Sequence, residues 1–199
     1  MWNIQIVVFN DVEELDAVGP YEVFGTARQL APDSFDVSLV AETLEPVRCV
    51  NGLRLLPDVT FGDAAQPDVI VVPGGNGSRR QQHNSEMIQW VQRTAKHCHW
   101  VTSVCTGARI LLQAGLCDDK RITSHWSAID DLRDQQRAAD VLDNVRFVRD
   151  GNLVTSEGVS AGIDMSLWLV GQILSVPFAR DVQKELAYFP APPYAFDVG

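Results

Sequence analysis

Short apolar runs alternate with amphipathic stretches along most of this sequence. "IQIVVF" (4–9), "DVSLVAE" (36–42), "DVIVVPGG" (68–75) and "WVTSV" (100–104) are rich in valine and isoleucine and end at turn residues. Runs that are apolar on both faces suit strands buried in a parallel sheet. Between them, Tyr21, Phe24 and Ala27 form an apolar helical face, with Pro20 at the first helical position. Met87, Ile88 and Val91 do the same for a helix over 84–97, with Asn84 or Ser85 as its cap. Asn51-Gly52 in "VNGLRLLPD" and Asp150-Gly151 in "VRFVRDGNLVTSEG" predict hairpins. After the second, Ser160 is placed to cap a helix carrying Ile163, Leu167, Val170 and Leu174 on one face. The tail "FPAPPYAFDVG" is too rich in proline to be helical and is expected along the surface.

Alternation of strand and helix in this order predicts an α/β fold, a doubly wound, mostly parallel sheet flanked by helices. No repeat, linker or shift in composition divides the chain, so one domain over residues 1–199 is expected. Ligand sites in such sheets lie at the carboxyl ends of the strands. Net charge is −10, from 16 Lys+Arg against 26 Asp+Glu, and the basic residues are scattered. Phosphate backbones repel such a chain, which argues against a nucleic-acid partner. "MWNIQIVVFND" has neither a basic leader nor the length to span a bilayer, so no membrane partner is expected. Cys49, Cys98, Cys105 and Cys117 show no CxxC spacing, which suits free thiols in a reducing cytoplasm.

Three segments reach the same edge of the expected sheet. Cys105 follows the strand "HWVTSV", Gly74-Gly75 follow "VIVVP", and Asp16 lies a short loop beyond the first strand. A cysteine at a strand–helix corner is held at the crevice, where a helix N-terminus is expected to lower its pKa. Gly74 and Gly75 allow close approach of the backbone and are expected to offer N–H donors to a substrate or oxyanion. From pattern alone, a buried structural cysteine fits as well as a nucleophile. "KHCHW" (96–100) sets His97, Cys98 and His99 in a row, but adjacent residues rarely converge on one ion. A helix-to-strand junction is the expectation there, with no metal and no cofactor. Glu13-Glu14 reads as a solvated loop face, and "EGVSAGID" (157–164) as a tight helix start. "PGGNG" lacks the Gly-Lys-Ser/Thr end of a phosphate-binding loop.

"VCTGARILLQAGL", "PGGNG", "ELDAVGPYEVF", "RITSHW", "VTSEGVSAGIDMSLWLV" and "ELAYFPAPPYAF" together resemble the DJ-1/PfpI superfamily, and within it the isonitrile hydratase branch. The resemblance implies a flavodoxin-like, class I glutamine amidotransferase-like fold with a strand–nucleophile–helix elbow, and pairing into a homodimer. It implies that Cys105 is the nucleophile, that Asp16 is the acid facing its sulfur, and that Thr106 is the branch's residue after the nucleophile. A histidine follows the cysteine in the protease-like branch; Thr106 here counts against peptidase chemistry. His125 in "RITSHW" matches a histidine near the cysteine in other branches. It is expected to pack with Trp126 at the pocket edge, with a supporting acid/base role open. The implied reaction is hydration of a small isonitrile to an N-substituted formamide. The same site acting on a small carbonyl or labile amide is an alternative, as is a ligand- or redox-sensing domain of a transcription regulator. The hydratase of the family continues beyond the point matching "PYAFDVG", and no basic DNA-reading segment follows the α/β portion of this sequence.

Overall fold

The computed structural model describes residues 1–190, so all but the first two residues of the proline-rich tail lie outside the described part. In its first half the chain forms β1 (Trp2–Val7), α1 (Glu14–Leu30), β2 (Phe35–Ala41), β3 (Val47–Arg48), β4 (Arg54–Leu55), β5 (Val59–Thr60), β6 (Val69–Val72), α2 (Ser78–Gln81) and α3 (Ser85–Ala95). It continues through β7 (Trp100–Val104), α4 (Ala108–Gln113), β8 (Arg121–Thr123), α5 (Ile129–Asp134), β9 (Asp140–Leu142), β10 (Phe147–Asp150), β11 (Leu153–Ser156), α6 (Ala161–Ile173) and α7 (Val176–Glu185).

Seven strands form one sheet in the order β10-β11-β7-β6-β1-β2-β5. Only β10 runs antiparallel, paired with β11 through the tight turn at Gly151. The strand order reverses between β1 and β6, so the loops that follow those two strands part there and leave a crevice. Core side chains from α3, α4 and α5 cover one face, and those from α1, α6 and α7 cover the other. This is the doubly wound arrangement that the alternating pattern predicts. All four residues of β6 are buried, as a central parallel strand requires. Phe24 and Phe35 are fully buried in contact, with ring centroids 5.5 Å apart, each contributing about 2–3 kcal/mol by leaving water.

Several expectations need correction. Helix α1 begins at Glu14, not at Pro20, which lies inside it. The proline removes one bond, to the Asp16 carbonyl in the first turn, and the buried face on either side sustains the helix. Ser160 precedes α6, but its side chain makes no cap bond; its Oγ instead accepts from Arg146. The buried face of α6 is Ala161, Gly162, Met165, Ser166, Leu169 and Val170, while Leu174 is exposed. Small residues take the sheet side because space is short there: a Cβ on Gly162 would stand 3.0 Å from a Val104 methyl. The segment 96–99 joins α3 to β7, as expected.

Asn84 caps α3 by accepting from the backbone N–H groups of Glu86 and Met87. Asn84→Ala is therefore expected to cost about 1 kcal/mol. Urea unfolding would register this as a lower midpoint at unchanged slope.

Candidate active site

The corner after β7 is set by backbone geometry. Val104 is extended, and Cys105 turns into the left-handed region at φ 57°. For a residue with a Cβ this conformation costs roughly 1–3 kcal/mol. Two neighbours hold it in place. Ser124 donates to the Cys105 carbonyl at 2.8 Å, and Gly107 lets the turn press against β6, where a Cβ would lie 2.0 Å from the Val72 oxygen. Cys105 is 6% exposed and opens onto a cleft of about 190 Å³. Glu13, Gly75, Arg79, Thr106, His125 and Val159 are among its lining residues.

Asp16 enters from the first turn of α1 and is fully buried. Its Oδ2 accepts from the Gly74 N–H at 2.9 Å, across the gap between the β1 and β6 loops. Among the described residues its Oδ1 has no partner within hydrogen-bond geometry, although the Cys105 thiol and the Val159 N–H stand close enough to favour the carboxylate. Burial dominates, helped by the charge of Glu13, and raises the carboxyl from 3.8 to about 7.

The expected lowering of the Cys105 pKa is not found. Burial, then the Asp16 charge, pushes the thiol up to about 12. The Thr106 N–H and hydroxyl and the Val159 N–H pull the other way without prevailing. The helix that leaves the corner, α4, is only six residues long. Burial raises both acids, and the Asp16 charge raises the thiol further, so at neutral pH the two are not ionised together.

Gly74 and Gly75 reach the site, but not as free donors. The Gly74 N–H is engaged by Asp16 and the Gly75 N–H by Thr106 Oγ1 at 3.1 Å. Their small size is what matters: a Cβ on Gly74 would lie 2.4 Å from the Thr106 nitrogen and 3.0 Å from the Cys105 Cβ. Thr106 is buried beside the sulfur. His125 stands at the cleft edge, with Nδ1 2.8 Å from Ser127 Oγ and its ring tilted against Trp126. A Cβ on Gly158 would meet His125 Cδ2 at 2.9 Å and the Cys105 sulfur at 3.6 Å, so imidazole and thiol flank the same glycine.

Glu13 departs from its expected role as a solvated face. It is half-buried in the cleft wall, and burial and Glu14 raise its pKa. Val159, Arg79 and the buried Ser78 also went unnoticed in the sequence. The small, tight stretch "EGVSAGID" hinted only at the loop that carries Val159.

The DJ-1/PfpI family model matches residues 3–172. The chain belongs to the DJ-1/PfpI family. The isonitrile hydratase of Pseudomonas putida is 42% identical over 191 residues, covering 96% of this chain and 80% of the hydratase. A glutathione-independent glyoxalase of Caenorhabditis elegans is 26% identical over 162 residues, or 80% of this chain and 82% of the glyoxalase. The crystal structure of a ThiJ/PfpI family protein from Pseudomonas syringae superposes with a TM-score of 0.88 at 32% identity. It covers all (100%) of this chain, which spans 78% of that one. Among the described residues no helix is long and apolar enough to cross a membrane.

The raised Asp16 pKa makes stability depend on pH. Between about 4 and 7 the folded protein holds a proton that the unfolded chain has released, so raising pH favours unfolding. This contribution is fully present below about 4 and is lost as pH rises through 7. Asp16→Asn removes the titration. Urea midpoints of wild type and variant should diverge across that window, with the wild type losing ground as pH rises.

Proposed function

We propose that this protein is a cysteine-dependent isonitrile hydratase, converting a small isonitrile to an N-substituted formamide. The observation that carries the reading is the buried Asp16–Cys105 pair, with Thr106 rather than histidine beside the sulfur. The 42% identity to the Pseudomonas putida hydratase supports the choice of substrate class.

The terminal carbon of an isonitrile carries a lone pair and becomes electrophilic once protonated. The pair supplies one proton and one nucleophilic sulfur at the same atom. As Cys105 Sγ bonds to that carbon, the proton shared with Asp16 moves onto it, forming an N=CH–S thioimidate. Asp16 is left as a carboxylate, poised as a general base. Water then adds, its oxygen to carbon and a proton to nitrogen. The hydroxyl proton of this adduct passes to Asp16 as the carbon–sulfur bond breaks. The formamide leaves, and the pair has regained its single proton. The Thr106 N–H and Val159 N–H stabilise negative charge that returns to the sulfur. A cleft of about 190 Å³ suits a small substrate.

Purified protein incubated with an alkyl isonitrile should yield the matching formamide by mass spectrometry. Cys105→Ala should abolish turnover, and Asp16→Asn should lower kcat by roughly 10²–10⁴-fold. No formamide from wild type, with Cys105 still alkylated by a thiol reagent, would reject the isonitrile while keeping the site. Methylglyoxal consumption would then be the next assay, given the similarity to a glyoxalase.

A further inference from the structure

The cleft runs from a buried thiol to an exposed cation. Cys105 lies at its inner end, 6% exposed, with His125 and Val159 half-buried along the walls. Arg79 lines the same cleft at its exposed mouth. Its neighbour anchors it there: Ser78 is fully buried, with Oγ 2.9 Å from Thr106 Oγ1 and 2.8 Å from the Gly75 carbonyl oxygen. The two arginines after Ser78 are used differently. Arg80 is tied to Asp11 at 2.6 Å and to the Asn10 carbonyl at 3.2 Å. Among the described residues the Arg79 guanidinium enters no ion pair, and no other lysine or arginine lines the cleft. Glu13 lines it too, half-buried and outside those ion pairs, so direct contact does not neutralise Arg79. On a chain of net charge −10, with acids in excess, a cation held open beside a reactive sulfur calls for an explanation.

The shape of an isonitrile decides which part of it meets Arg79. Its terminal carbon, its nitrogen and the first atom of the substituent are collinear. With that carbon at Cys105, the substituent is carried straight away from the sulfur, toward the mouth. A guanidinium there offers paired N–H donors that match both oxygens of a carboxylate. A neutral alkyl tail would leave those donors to water.

We propose that Arg79 selects substrates in which a short spacer joins the reacting carbon's group to a carboxylate, so that the cleft prefers anionic isonitriles over neutral ones. The substrate class rests on the hydratase reading above; the preference for an anion can be measured at Cys105 without it.

Iodoacetate and iodoacetamide are the probes, matched in size and differing in charge. Each alkylates Cys105 by the same displacement, the sulfur–carbon bond forming as iodide leaves. The ratio of their rates, read on the Cys105 peptide by mass spectrometry, therefore cancels the sulfur's own reactivity. Arg79→Gln should lower the iodoacetate-to-iodoacetamide ratio about three- to fivefold at low salt. Glu13→Gln removes the opposing charge and should raise it, and Arg79→Lys should fall between wild type and Arg79→Gln. Added salt should bring the wild-type ratio toward that of Arg79→Gln. A ratio that Arg79→Gln leaves unchanged would overturn the proposal. Should Cys105 resist both reagents, calorimetric titration with N-formylglycine, the product that isocyanoacetate would give, decides instead. Weaker binding by Arg79→Gln is then expected, and equal affinity would overturn the proposal. In turnover, Arg79→Gln should lower kcat/KM for isocyanoacetate relative to its methyl ester by a similar factor. Hydration of neither compound, with the alkylation ratio shifted as expected, would refute the hydratase reading and leave Arg79 as the anion-selecting group. Hydration of both by wild type, in a ratio indifferent to Arg79→Gln, would keep that reading and overturn this one.

Discussion

A carboxyl group buried against a thiol is the constraint around which the site is built. Asp16 is out of water, and its Oδ2 is held by the Gly74 N–H across the parting of the β1 and β6 loops. A single bond of this kind contributes modestly to stability. Its larger effect is to fix one oxygen and leave the other facing the sulfur side. Burial and neighbouring negative charge raise both acids, so they cannot ionise together near neutral pH. What results is a pair that keeps at least one proton near neutral pH, with the sulfur beside the carboxyl. A reaction that adds S–H across a single carbon asks for that combination.

The surrounding backbone brings these groups to one place through close approaches that side chains would forbid. Gly74, Gly75 and Gly107 each have main-chain atoms where a Cβ would stand, at 2.4, 2.3 and 2.0 Å. At Gly75 the left-handed φ of 105° adds a second reason for glycine. Cys105 accepts a similar left-handed conformation despite its Cβ, and Ser124 holds its carbonyl from β8's end of the site. The sheet supplies the rigidity: β6 and β7 are adjacent and parallel, so their following loops emerge side by side. Positioning is therefore a property of the framework, while reactivity comes from burial.

Much of this framework was legible in the chain. Valine- and isoleucine-rich runs located β1, β2, β6 and β7 to within a few residues, because central parallel strands are apolar on both faces. Asn84 announced a helix start, and Asp150-Gly151 a hairpin. The corner position of Cys105 was readable because an apolar run ends one residue before it. Size and distance were harder to read than pattern. The buried face of α6 went astray because small Ala161, Gly162 and Ser166 pack against the sheet, where hydrophobicity alone points to larger residues. Gly74 and Gly75 looked like free donors because nothing in sequence says that Asp16 and Thr106 already occupy their N–H groups. Glu13 and Ser78 join the site only through long-range folding, and neither stands in a recognisable spacing to Cys105.

The claim on which the rest depends is that Asp16 stays protonated far above the usual range of an aspartic acid. Infrared absorption of its protonated carbonyl tests this directly, isolated as the difference between wild type and Asp16→Asn and followed with pH. The account predicts a band that persists well above pH 4 and falls to half near 7. A band already halved at about 3.8, the ordinary aspartate value, would contradict it.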